Sequence, residues 1–146
     1  MSGFFFVSLY VNIYSMIETK KAKLAAVALI FSEDKTKLLG VSRKDNSKLF
    51  GLPGGKVDEG ESMTEGVIRE VKEETGLDVK SAAPIFLRED GEFVAAVYLV
   101  TDYEGEVSTK ESGVVDWITF EDLKQGAFSE YNTKLEQHLK FLNIIK

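Results

Sequence analysis

Apolar and polar positions alternate in short blocks along most of the chain and turn helical in period near its end. Lys23–Ser32 (KLAAVALIFS) is almost wholly apolar and predicts a strand buried on most of its surface. Asp34-Lys35-Thr36 marks a turn, and Lys37–Val41 (KLLGV) predicts the returning strand of a hairpin. Leu49–Leu52 is a short apolar run that stops at Pro53-Gly54-Gly55. Glu61–Thr75 holds helix formers and no proline, with Gly76 placed to end a helix. Ala82–Arg88 and Glu92–Thr101 predict two strands joined by Glu89-Asp90-Gly91, a second hairpin. Val114–Ile118 predicts one more strand, and Thr119-Phe120-Glu121-Asp122 a capping box opening a short helix. Leu135, Leu139 and Leu142 stand at i, i+4 and i+7, so the chain is expected to close with an amphipathic helix.

This is the pattern of one α/β domain without repeats or linkers, and its first twenty residues stand apart from it. Phe4–Ile17 (FFFVSLYVNIYSMI) is strongly apolar but too short to span a bilayer. No Lys or Arg precedes it, as the start of a secretory signal requires. Its β-branched and aromatic residues favour a strand. Residues 1–20 are therefore expected to form an added strand or an appendage, with Met16 an alternative start, and 21–146 the domain.

Composition narrows the partners. A length of 146 residues, 44% hydrophobic and 29% charged, suits one soluble globular domain with a real core. A net charge of −6 argues against general affinity for nucleic acid. It leaves room for a small anionic ligand, because a bound divalent cation inverts the local sign. The absence of cysteine removes disulfide and thiolate chemistry and suits a reducing compartment. A cytoplasmic protein without membrane or nucleic-acid partners, a monomer or homodimer, is the expectation.

The chemistry is concentrated in Gly54–Leu77 (GGKVDEGESMTEGVIREVKEETGL). Glu70, Glu73 and Glu74 stand at i, i+3 and i+4, spacings that share one helix face. Like charges so placed repel, yet they supply the hard oxygen ligands that Mg²⁺ or Mn²⁺ takes beside phosphate groups. Arg69, four residues before Glu73, can orient that glutamate. Gly54 and Gly55 let backbone approach a ligand closely. From the glutamates alone, a solvated acidic face backed by Val67 and Val71 is the competing reading.

The offsets weigh against that competitor. From Gly55, five residues lead to Glu61 and seven more to Arg69-Glu70-Val71. One residue then precedes Glu73-Glu74, and one more precedes Gly76-Leu77. This spacing resembles the Nudix box, with every fixed position filled. The resemblance implies an α/β/α sandwich in which a mixed sheet presents a loop–helix–loop motif. It also implies Mg²⁺- or Mn²⁺-dependent hydrolysis of a nucleoside diphosphate linked to another moiety. By position it makes Glu70, Glu73 and Glu74 metal ligands, adds the Gly55 carbonyl, gives Arg69 an orienting role and lets Glu61 hold the loop.

Outside the box the resemblance is thinner. Glu111 lies six residues before Trp117, where MutT-type members place a further catalytic glutamate, as metal ligand or general base; Glu104, Glu106 and Asp116 compete. Asn132 lies fifteen residues after Trp117, where that branch has an asparagine reading a purine edge; the alternative is the N-cap of the last helix. Arg43 is a candidate phosphate contact or a solvated strand end. Phe50 or Phe93 would stack on a base or belong to the core. His138 is assigned no catalytic part.

Markers of the ADP-ribose and dinucleoside polyphosphate branches are missing, since Glu92 and Val94 stand where a proline and a tyrosine would be. A (deoxy)nucleoside triphosphate cut to monophosphate and pyrophosphate is therefore the expected substrate. Alternatives are the same chemistry on a dinucleotide or nucleotide sugar, and a non-catalytic nucleotide-binding sensor.

Overall fold

The structure, a computed structural model, describes residues 23–42, 45–108 and 114–146. The N-terminal extension, Met16 included, and the candidates Arg43 and Glu111 lie outside the described residues.

Among the described residues seven strands and three helices follow in order: β1 (Lys23–Leu29), β2 (Leu38–Ser42), β3 (Phe50–Gly51), β4 (Gly54–Lys56), α1 (Met63–Thr75), β5 (Asp78–Asp90), β6 (Phe93–Glu104), β7 (Val115–Ile118), α2 (Phe120–Lys124) and α3 (Ser129–Phe141). Strands β4-β1-β6-β5 form a mixed sheet in which only β1 and β6 run parallel. Strands β3-β2-β7 form a smaller antiparallel sheet.

The mixed sheet is covered on both faces, which explains the unbroken apolar run of β1. Along β1 the side chains alternate with period two. Ala26 and Ala28 belong to one core with Val67 and Val71 of α1, while Leu29 joins another with Leu135 and Leu139 of α3. Strand β6 repeats the division, with Ala96 and Tyr98 facing α1 and Val97 the other core. The result is an α/β/α sandwich with a mixed sheet, as the resemblance implies.

One prediction fails in topology. Lys23–Ser32 and Lys37–Val41 do not form a hairpin within one sheet. β1 has both edges occupied, by β4 and β6, so β2 has no place beside it and pairs instead with β3 and β7. Only the tip keeps hairpin contacts, with Ser32 N–H donating to Lys37 O and a bridge between Phe31 and Leu38. The second hairpin, β5–β6, forms as expected and is longer than predicted.

Helix α1 starts two residues later than the sequence reading. Ser62 is its N-cap, in a reciprocal capping box with Glu65, and Gly76 ends it in the left-handed conformation at φ 82°. Thr119 and Asp122 form the predicted box on α2. Among the described residues no helix is long and apolar enough to cross a membrane.

The two cores make a stability prediction. Leu139 is fully buried between α3 and the sheet, whereas Phe141 is 82% exposed. Leu139→Ala is expected to cost about 2–5 kcal/mol, and Phe141→Ala to stay within about 0.5 kcal/mol. Urea unfolding monitored by circular dichroism measures both.

Candidate active site

The site is built where α1 meets β4. Gly54 and Gly55 lie in register with Val27 and Ala26 of β1. At Gly54, φ is 148° and a Cβ would stand 2.2 Å from the Ala26 carbonyl oxygen, so only glycine fits. At Gly55 a Cβ would stand 3.1–3.4 Å from the carboxyl atoms of Glu70. Bare Gly54 lets β4 close on β1, and bare Gly55 lets the acidic face of α1 close on the strand. Val67 and Val71, fully buried, anchor the opposite face of the helix.

Arg69 is the hub of this face. Its Nε and Nη2 donate to the two carboxylate oxygens of Glu61 at 3.2 and 2.8 Å. Nη1 donates to Glu70 at 3.0 Å and to Glu73 at 3.3 Å, and Nη2 reaches the Lys56 carbonyl at 3.2 Å and the Asp58 carboxylate at 3.3 Å. Its role is therefore wider than the pairing with Glu73 expected from spacing. Glu61 also accepts the Asp58 N–H at 2.7 Å, which holds the 58–61 loop. Arg69, and next the Asp58 N–H, depress the pKa of Glu61 below its ordinary value. The guanidinium's own pKa is raised, chiefly by Glu61 and then by Glu70, so it stays charged. Glu74 turns to the glycines and accepts the Gly54 N–H at 3.0 Å.

Tested as a divalent-cation site, these residues fit by donor chemistry. Three carboxylates leave one helical turn beside the Gly55 backbone, in a cradle that a Cβ would fill. The expected gathering of their oxygens around one point is not present. Among the described residues no three acidic or histidine side chains form a metal-holding group. Arg69 draws Glu70 and Glu73 to itself, and Gly54 holds Glu74.

A cavity of about 100 Å³ adjoins the glycine strand, lined by Val27, Phe50, Leu52, Arg88, Phe128 and Asn132. Leu52 precedes Gly54 by two residues, and Val27 is paired with Gly54, so cavity and acidic face share a wall. Asn132 is buried, and its Nδ2 lies 3.4 Å from the Leu123 carbonyl. It does not cap the last helix. That position belongs to Phe128, and Asn132 sits a full turn inside.

Phe93 is half-buried elsewhere, with the ammonium groups of Lys23 and Lys56 5.9 and 5.6 Å from its ring centre. His138 contacts the Ile85 carbonyl and the Phe86 ring. Sequence reasoning missed Arg88, whose partners Phe128 and Tyr131 come from forty residues further on.

The NUDIX domain family model matches residues 21–139, most of the chain. The chain belongs to the Nudix hydrolase family. It is 33% identical over 108 residues to an ADP-ribose pyrophosphatase of Methanocaldococcus jannaschii, covering 68% of this chain and 58% of that protein. It is 31% identical to an 8-oxo-dGTP diphosphatase of Buchnera aphidicola, covering 67% of this chain and 77% of the other. The chain thus spans less than two thirds of the first of these relatives. A solved MutT NUDIX hydrolase from Burkholderia pseudomallei superposes with a TM-score of 0.65 at 31% identity, covering 79% of this chain and 96% of that one. The matched residues include the loop and helix that Arg69 ties together.

The Arg69–Glu61 pair predicts a pH dependence. Glu61 is depressed from its ordinary 4.5, so its contribution is complete above about pH 4.5 and is lost as pH falls through the lower folded value. Arg69→Met should return Glu61 toward its ordinary value and flatten the acid limb of stability. Carboxyl NMR titration with urea midpoints from about pH 3 to pH 6 measures this; an unchanged acid limb would refute the pairing.

Proposed function

We propose that this Nudix protein hydrolyses a phosphoanhydride in a nucleoside diphosphate linked to a further group, in the first instance a (deoxy)nucleoside triphosphate cut to monophosphate and pyrophosphate. The observation that carries this reading is contiguity. An Asn132-lined cavity and an acidic helix face are joined by the Phe50–Lys56 segment, so base and phosphates of one substrate can lie along it.

Glu70, Glu73, Glu74 and the Gly55 carbonyl would hold Mg²⁺ or Mn²⁺. A divalent ion there supplies neutralisation of phosphate oxygens and a lowered pKa for an attacking water. Arg69 orients Glu61, Glu70 and Glu73, and the Gly54 N–H orients Glu74. Asn132 has an amide that can both donate to and accept from a base edge. Phe50 and Phe128 offer apolar walls to its ring. Glu111 is the proposed general base or further ligand, and Arg43 a phosphate contact. In the reaction, a water oxygen would bond to one of the two phosphorus atoms flanking the cleaved bridge as that atom's bond to the bridging oxygen breaks, its electron pair leaving with the departing phosphate, while the water's proton passes to the general base; monophosphate and pyrophosphate result.

The segments carrying Glu111 and Arg43 adjoin Val114 and Ser42. These two residues exchange backbone and side-chain hydrogen bonds at 2.8 Å, which ties the end of β2 to the start of β7. The net charge of −6 favours a small nucleotide over a nucleic acid. The same chemistry on a nucleotide sugar or dinucleotide is the second reading, favoured by the relative described as an ADP-ribose pyrophosphatase.

Glu73→Gln and Glu74→Gln should each lower turnover by more than about a hundredfold, since even residues that only orient a metal ligand contribute roughly 10–100-fold. Wild-type turnover in either variant would remove that glutamate from the site. EDTA should abolish hydrolysis and Mg²⁺ or Mn²⁺ restore it. A panel of triphosphates, dinucleotides and nucleotide sugars, assayed in H₂¹⁸O for phosphate and pyrophosphate, decides between the two substrate readings.

A further inference from the structure

The cavity beside the glycine strand contains a residue that the proposed chemistry leaves unused. Arg88, near the end of β5, lines it together with Asn132. Its guanidinium carbon lies 4.1 Å from the centre of the Phe128 ring and 5.5 Å from that of Tyr131. The Tyr131 hydroxyl donates to the carbonyl of Glu89, so the first turn of α3 grips the strand beside Arg88. Two rings, one of them fixed by that bond, thus pack against a side chain that would otherwise sample many rotamers. Its Nε is shut off from solvent.

A guanidinium presents N–H donors only and remains charged at any working pH. Its planar fork matches two adjacent acceptors. Guanine offers such a pair, O6 and N7, whereas adenine places an amino donor where guanine has O6. A donor-only cation in a largely apolar cavity therefore favours the first base and opposes the second.

We propose that Arg88 is the specificity-determining residue of this cavity, selecting guanine-type bases with a carbonyl at position 6 over adenine. The proposal rests on the reading of the cavity as the base site. The competing role is a purely structural staple between β5 and α3.

The test compares kcat/KM for dGTP and dATP, and calorimetric affinities for dGMP and dAMP, in the wild type, Arg88→Met and Arg88→Lys. Methionine keeps much of the stem, and lysine keeps the charge without the fork. The wild type is expected to prefer the guanine member of each pair. Both variants should lower that preference about tenfold or more, chiefly through KM. Should the methionine variant fail to fold, the lysine variant decides. A wild-type preference for adenine, or an unchanged ratio in Arg88→Lys, overturns the proposal. Asn132→Ala separates the two levels. If it leaves both monophosphate affinities unchanged, the cavity is not the base site and both readings fall. If it weakens them while Arg88→Lys keeps the ratio, only the role of Arg88 falls.

Discussion

A single guanidinium makes the acidic face of α1 tenable. Glu70, Glu73 and Glu74 repel one another, at roughly 0.2–0.5 kcal/mol for each like-charged pair on a helix. Arg69 sets against this a set of charge-assisted bonds, which are shorter and stronger than neutral ones. Glu61 and Glu70, with side chains 16% and 19% exposed, make the closest of them, while the half-exposed Glu73 contributes less. The attraction wins. Because Arg69 also reaches the Lys56 carbonyl, the same group fastens the helix to β4 and the loop after it. Glutamates, glycines and loop therefore keep fixed relative positions.

The packing beneath has its own requirement, that α1 come close to the sheet. On the face under α1, β1 and β6 carry Ala26, Ala28 and Ala96, all essentially inaccessible to solvent. On the opposite face, β1 and β6 carry Val27, Leu29, Val97 and Leu99. Ala26, Ala28 and Ala96 share a core with Val67 and Val71 of α1, Tyr98 meets Thr64 of its first turn, and Gly55 leaves space for Glu70 further along. Bulkier residues on the other side fill the gap to α3.

Much of this was legible in the sequence because it is local. Gly76 ends α1, Thr119 and Asp122 cap α2, and Glu89-Asp90-Gly91 joins β5 to β6, each through bonds within a few residues. The acidic face follows from helical spacing alone. The Ser62-Met63-Thr64-Glu65 signature is equally local, and placing the helix start at Glu61 overlooks it. Strand pairing is different. The sequence of β1 tells that both its faces are buried, but not that both its edges are taken, so the apparent hairpin with β2 divides between two sheets. Asn132 resembles a cap until Phe128 is seen to hold that position, and Arg88 acquires meaning only when α3 folds back upon β5.

The cavity and the acidic face meet along a shared strand edge yet rest on different cores. Arg88 and Asn132 are held by β5 and α3, on the side packed around Leu135 and Leu139. The glutamates are held by α1, on the side packed around Val67 and Val71. Phe50–Lys56, together with Val27 of β1, adjoins both. Side chains on separate elements with no shared partner act nearly independently on stability. A substitution that alters base preference can then leave the carboxylates in place, whereas one within the shared segment disturbs both. The rigidity of that segment is therefore what couples recognition to chemistry, and the steric demand at Gly54 is where it is strictest.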